Sequence, residues 1–215
     1  MRYSKTKLKG FCTKSLAAAG VCSADAATIA DVLLSTDERG VHSHGCVRVE
    51  GYIECLQTGG IKANTHHEIV SEGPAFALID ANRDLGIPVS VYAMRLAKQK
   101  AQRTGIAIVN VRNSHHFGAC GYYTLLCADD GLIGLAMSTG DVIMAATGSA
   151  CNSIGNNPFS YAVPAGKYRA ICYDIAMSTV AAGKISMADD EGKQIPLGWL
   201  LDPDGNRTTD PHAYA

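Results

Sequence analysis

"IAIVNVRNSHHFGACGYYTLLCADDG", residues 106–131, decides the fold class. Its first eight residues, rich in Ile and Val, read as a buried strand, and "GACGYYTLLCADDG" reads as a helix that Gly131 ends. A strand passing through a polar turn into a helix is the repeating unit of an α/β sheet. Working outward, "PAFALID" (residues 74–80) reads as a short strand. Residues 87–105 read as a helix turning Ile87, Val91, Met94 and Ala101 inward. Downstream, "LIGLAMST", "FSYAVPAG" and "RAICYDIA" read as further strands, and "DPDGN" (Asp202 to Asn206) as a turn.

The first 60 residues follow a different grammar, that of three helices. Leu8, Phe11, Cys12 and Leu16 recur at helical spacing, and Gly20 supplies a stop. Ser23 can cap a second helix, whose apolar stripe is Ile29, Val32 and Leu33 before Gly40. Ser43 can cap a third, with Cys46, Val49, Ile53 and Leu56 on one face until Gly59 and Gly60. On that third helix His44 and Arg48 are four residues apart, so they are expected to project side by side, away from the apolar stripe. The expected organisation is a helical domain over residues 1–72 and an α/β domain over residues 73–215.

Composition narrows the class. Apolar residues make up 47% of the 215 and charged ones 18%, which describes a globular chain. A formal charge of −1 leaves no basic excess, so neither nucleic acid nor a membrane surface is expected as partner. No run approaches the ~18 apolar residues of a membrane span, and the basic start "MRYSKTKLKG" leads into no signal-type apolar core. The eight cysteines stand singly without a CxxC and read as buried thiols of a cytoplasmic protein. Alternating strands and helices invite a dinucleotide fingerprint, yet there is no GxGxxG and no GxxxxGK[ST]. The glycine strings at 118–121 and 148–155 have the wrong spacing.

Three polar constellations remain. In "HSHGCVR" a Ser–His pair could serve a hydrolase, but adjacent residues rarely aim at each other and Val41 breaks the GxSxG elbow. A metal could use His42 and His44, but no third ligand presents itself, and no metal is expected. The plain alternative is a capping serine with surface histidines. Arg48 argues against it: a guanidinium fork matches a carboxylate, and a neighbouring imidazole can move a proton near neutral pH. Together they suit a small 2-oxo or 2-hydroxy acid. In "VRNSHHFGACGYY" the strand-to-helix turn is where α/β sheets bind ligands, which makes His116 a second acid–base candidate. Asn157–Pro158 is a turn signal, and Asp174 could accept a ribose hydroxyl or equally cap a turn.

Taken together, "DERGVHSHGCVRVEGY", "RNSHHFGACGYY", "GNNPFSYAVPAG", "YDIAMS", "AAGKI" and "GWLLDPDGNRTTDP" resemble the malate/L-lactate dehydrogenase family that lacks a Rossmann fold. The family includes ureidoglycolate and sulfolactate dehydrogenases. The resemblance runs the length of the chain. It implies a mixed, antiparallel-rich sheet of the family's own type, flanked by helices, that binds NAD or NADP. It also implies a homodimer and a small 2-hydroxy or 2-oxo acid as substrate. By the same resemblance His44, supported by Ser43, is the proton donor or acceptor, a role the ureidoglycolate branch gives to the position of His116. Arg48 holds the substrate carboxylate, and Asn156, standing where members usually carry threonine, contacts substrate. His116, Phe117, Gly118, Ala119, Cys120, Gly140, Asp141, Asp174, Ile175 and Ala176 match cofactor-contacting positions. Members continue beyond "TTDPHAYA", so the chain is expected to be a C-terminally truncated member. A non-catalytic paralogue that keeps the fold is the alternative of another class.

Overall fold

The computed structural model describes residues 3–64 and 66–214. Helix α1 (Lys5–Ala18) turns Cys12 and Leu16 onto α2 (Ser23–Glu38), whose Ile29, Val32 and Leu33 are fully buried. Burying side chains of that size contributes about 1.5–3 kcal/mol each. Helix α3 (Arg48–Gln57) adds Val49 and Tyr52 to the same cluster, which also takes in Leu85, Ile87, Val91 and Tyr123 from further along the chain. One continuous core therefore joins the helical start to the α/β part.

Strand β1 (Glu68–Gly73) pairs antiparallel with β2 (Phe76–Asp80). The chain then crosses through α4 (Gly86–Thr104) to β3 (Ile108–Arg112), parallel to β2. Val89, Ala93 and Leu96 of α4 pack on Ile79, Val109 and Val111, closing this layer. Helix α5 (Cys120–Ala128) follows, then β4 (Gly134–Met137), the hairpin β5 (Val142–Ala145) and β6 (Asn152–Gly155), and the long hairpin β7 (Phe159–Ala165) and β8 (Tyr168–Ile175). Strands β4, β7 and β8 form an antiparallel sheet with α5 on one face, where Thr124 and Ser160 hydroxyls meet at 2.9 Å. The other face is open: Leu135, Tyr161 and Tyr173 stand in register across it, flanked by Met137 and Ile171, 66% and 60% exposed. Helix α6 (Ala182–Asp190) and a short pair, β9 (Leu200–Leu201) and β10 (Arg207–Thr208), complete the chain.

The α/β class holds, with four small sheets and a single parallel pair among the described residues. Several local expectations do not. Strand β3 is not buried; as an edge it hides Val109 and Val111 and leaves Ile108 and Asn110 exposed. Phe11 faces solvent, because α1 needs only Cys12 and Leu16 to cover α2. Neither Ser23 nor Ser43 caps a helix. Ser23 is the first residue of α2, after Cys22, whose N–H donates to Asn64 Oδ1 at 2.8 Å. Ser43 lies in a separate 3₁₀ turn, His42–His44, and α3 begins only at Arg48. All eight cysteines are free, but only Cys12, Cys120 and Cys127 are buried. Elements β1, β5, β6 and α6 were not expected; β1 and β6 expose most of their residues, while β5 is only four residues long and α6 buries Ile185 alone. No described helix is long and apolar enough to cross a membrane.

Candidate active site

The His42–His44 turn is pinned from α2, not from its own sequence. Asp37, one residue before the end of α2, accepts the Cys46 N–H at Oδ2 (2.8 Å), while Oδ1 lies 3.0 Å from His42 Nδ1. Gly45 makes this approach possible: a Cβ there would stand 2.0 Å from Asp37 Oδ1. So held, Ser43 is 6% exposed and its Oγ meets His44 Nδ1 at 3.0 Å. Arg48 folds back from the start of α3, its Nε donating to the Ser43 carbonyl at 2.7 Å. His44 and Arg48 are therefore neighbours, as expected, but through this turn and not along one helix.

The loop after β3 brings His116 to the same place. The backbone of His115 and His116 presses so closely on Gly86, at the start of α4, that a Cβ there would lie 2.0 Å from the His115 carbonyl oxygen. Gly118 turns the chain at φ +81°, a conformation suited to glycine, and Tyr123 donates to the Phe117 carbonyl while stacking on the Phe117 ring. The His44 and His116 rings lie 5.5 Å apart, tilted by 37°. His116 Nδ1 is 2.7 Å from the Tyr52 hydroxyl of α3. Across the turn, α6 brings Gly183 against Ser43 and Arg48, where a Cβ would be 3.1 Å from Arg48 Nη2.

Burial governs the electrostatics. It lowers His44 to about 4, helped by the positive charge of Arg48. It lowers His116 to about 3, helped by His44, Arg48 and His115. Both imidazoles are neutral near pH 7. Arg48, by contrast, forms no ion pair among the described residues. The site is thus one half-buried cation beside two neutral proton carriers, which favours an anionic guest with an oxygen to protonate or deprotonate.

Other candidate residues gather beside it. Asp174, at the end of β8, accepts the Gly121 N–H at 2.7 Å and so ties β8 to the N-terminus of α5 and the His116–Cys120 segment; Ile175 pairs with Phe159 and Ala176 follows. Burial raises the Asp174 carboxyl, opposed by that N–H and by Arg39. Gly140 N–H donates to Asn157 Oδ1 at 3.0 Å, and Asp141, which accepts from Asn156 N–H, acts on the charge of His115. Asn156 turns its Oδ1 to Ser178 (3.2 Å from N, 3.0 Å from Oγ) and bonds to none of Ser43, His44, Arg48 or His116 among the described residues. Sequence reading missed Asp37, Gly45, Tyr52 and Gly183. Only Tyr52 carried a signal, since it follows Arg48 at the i, i+4 spacing of one helix face.

A fold that gathers an arginine and two neutral histidines in one half-buried site, without a glycine fingerprint, defines a narrow class, and comparison with known proteins gives it a family. A sequence model described as malate/L-lactate dehydrogenase matches residues 3–215, and the chain belongs to that family. It is 39% identical over 209 residues to a malate dehydrogenase of Pyrococcus horikoshii, covering 97% of this chain and 58% of that protein. It is 34% identical over 213 residues to an NAD(+) ureidoglycolate dehydrogenase of Escherichia coli O157:H7, covering 99% of this chain and 61% of the relative. The solved structure of a sulfolactate dehydrogenase from Methanocaldococcus jannaschii superposes with a TM-score of 0.89 at 36% identity, covering all of this chain and 62% of that one. The chain thus spans about three-fifths of the length of these relatives.

Proposed function

We propose that this protein is an NAD(P)-dependent oxidoreductase interconverting a small 2-hydroxy acid and its 2-oxo acid, with Ser43, His44, Arg48 and His116 as its substrate-handling group. The observation that carries the reading is Arg48, a half-buried guanidinium that forms no ion pair among the described residues and lies beside two neutral imidazoles. Its free fork suits a carboxylate. A carboxylate bound there also offsets the positive charge that lowers both histidines, so substrate binding itself favours protonation of the pair. Proton transfer between imidazole and the substrate oxygen then serves reduction, and the reverse serves oxidation. Malate, sulfolactate and ureidoglycolate, named for the relatives, all combine an acid group with an adjacent hydroxyl.

A nicotinamide dinucleotide, when bound, supplies the hydride chemistry. The residues to hold it are His116, Phe117, Gly118, Ala119, Cys120, Gly140, Asp141, Asp174, Ile175 and Ala176. Two features fit: Asp174 uses only Oδ2 toward Gly121, leaving Oδ1 for a hydroxyl donor, and His115 Nδ1 is buried without a partner among the described residues. Asn156 contributes to the substrate pocket through its amide, since its Oδ1 is engaged by Ser178. The reading takes the protein as cytoplasmic and homodimeric. Eight unpaired cysteines support a reducing compartment, and the open apolar face of the β4–β7–β8 sheet supports association.

The test is an NADH fluorescence titration followed by turnover of the three acids. Saturable NADH binding and oxidation of at least one acid are expected, with Arg48→Ala raising KM for the acid far more than KM for the nucleotide. Equal movement of the two constants would remove Arg48 from its role, and a protein that binds no NADH is a non-catalytic paralogue.

A further inference from the structure

His116 enters the site with one ring nitrogen already committed. Nδ1 lies 2.7 Å from the hydroxyl of Tyr52, 64 residues earlier, and Tyr52 is 4% exposed. We propose that Tyr52 is a positioning residue that locks His116 as the Nε2–H tautomer, making it a neutral hydrogen-bond donor to the substrate oxygen and leaving His44 to carry the proton. The inference rests on the function proposed above.

The direction of the hydrogen bond follows from where the phenol proton can go. Among the described residues the Tyr52 hydroxyl has His116 Nδ1 as its one hydrogen-bond partner. Were Nδ1–H the donor, the phenol proton would be stranded in a buried place without an acceptor, an arrangement native interiors avoid. Burial pushes the phenol up against the pull of Arg48, so it keeps its proton. Burial and the charges of His44, Arg48 and His115 keep the imidazole from becoming a cation. Phenol O–H to imidazole Nδ1 is the pairing that leaves no orphan, and it puts the imidazole proton on Nε2.

An Nε2–H nitrogen has no lone pair in the ring plane. It can polarise an oxygen, but it cannot take that oxygen's proton. His44 stands differently: its Nδ1 partner, the Ser43 hydroxyl, can accept as well as donate, so His44 can present a basic Nε2. In the reductive direction the proton reaching the substrate oxygen comes from Nε2 of His44 in its protonated form, which the carboxylate bound at Arg48 favours, while His116 keeps its own. In the oxidative direction the hydroxyl proton returns to His44. Two imidazoles 5.5 Å apart thereby divide the work.

The test labels the histidines of the protein with ¹⁵N and reads each tautomer from long-range ¹H–¹⁵N spectra, the His116 signals being assigned by their loss in His116→Gln. The expected pattern is a pyridine-type Nδ1 and a pyrrole-type Nε2 for His116. In Tyr52→Phe, which keeps the ring packing, the two shifts should move toward each other as both tautomers become populated. A wild-type His116 with a protonated Nδ1, or unmoved shifts in Tyr52→Phe, overturns the proposal. In turnover, Tyr52→Phe should lower kcat about tenfold and leave KM for the acid within about twofold; an effect confined to KM also overturns it. Should the wild type oxidise none of the acids, the functional reading falls and the substrate part of this inference with it, while the spectra still decide the tautomer.

Discussion

Mild acid should unfold this protein through its imidazole pair, and the size of the effect follows from their burial. His44 is lowered to about 4 and His116 to about 3, first by burial and then by neighbouring positive charge. Unfolding returns both to the ordinary value near 6.5, so below that pH the unfolded chain binds protons that the folded chain refuses. The folded state is thus fully favoured above about pH 6.5 and loses stability as pH falls, down to about 4 for one ring and about 3 for the other. Each imidazole costs about 1.4 kcal/mol per pH unit inside its window, so at pH 5 the pair has removed roughly 4 kcal/mol. That is a large share of the 5–15 kcal/mol typical of a domain, roughly speaking. Urea unfolding followed by far-UV circular dichroism at pH 7 and pH 5 measures it, in the wild type and in a His44→Gln, His116→Gln double variant. The wild type should lose most of that amount between the two pH values, and the double variant little. His115, lowered by burial against the opposing charge of Asp141, is present in both chains and cancels. Parallel losses in the two proteins would refute the reasoning.

Two further outcomes are expected. Gly45→Ala forces a Cβ onto Asp37 Oδ1, breaking the carboxylate's hold on Cys46 N–H, and should cost about 1–3 kcal/mol in a thermal melt. Gly51→Ala, a helix position with nothing near its absent Cβ, should instead gain about 0.5–1 kcal/mol; similar melts for the two would contradict the structure. On the open sheet face, Met137→Lys with Ile171→Lys should move the protein from dimer to monomer in sedimentation velocity and make its melt independent of concentration. An unchanged sedimentation coefficient would mean that this face is not the association surface.

The helix stops of the first 60 residues were legible because Gly20, Gly40 and Gly59 each take a positive φ where the apolar stripe ends. Helix α4 and strand β2 were legible by the same logic of period, and the "DPDGN" turn because Asp202 Oδ1 accepts the N–H of Asp204 and Asn206. What failed was non-local. Ser43 looks like a cap in any window of sequence, but Asp37 reaches over from α2 to take the neighbouring Cys46 N–H, and the serine turns to His44 instead. Strand β3 has buried-strand composition, yet only register against β2 and α4 decides which of its faces is covered. Of the site, the types His44, Arg48 and His116 announced acid–base and anion chemistry. Tyr52, Asp37 and Gly183 did not, because a phenol, a carboxylate and a glycine acquire meaning only from what they touch.

The seat of Gly183 against Ser43 and Arg48 has a consequence for biosynthesis. Helices α1 to α3 leave the ribosome early and can bury Leu16 and Leu33 at once, but the wall that confines the Arg48 guanidinium is translated far later. A nascent chain halted before α6 would hold its hydrophobic interior and the Arg48–Ser43 bond but lack this wall, so tight anion capture should emerge only once α6 has been made.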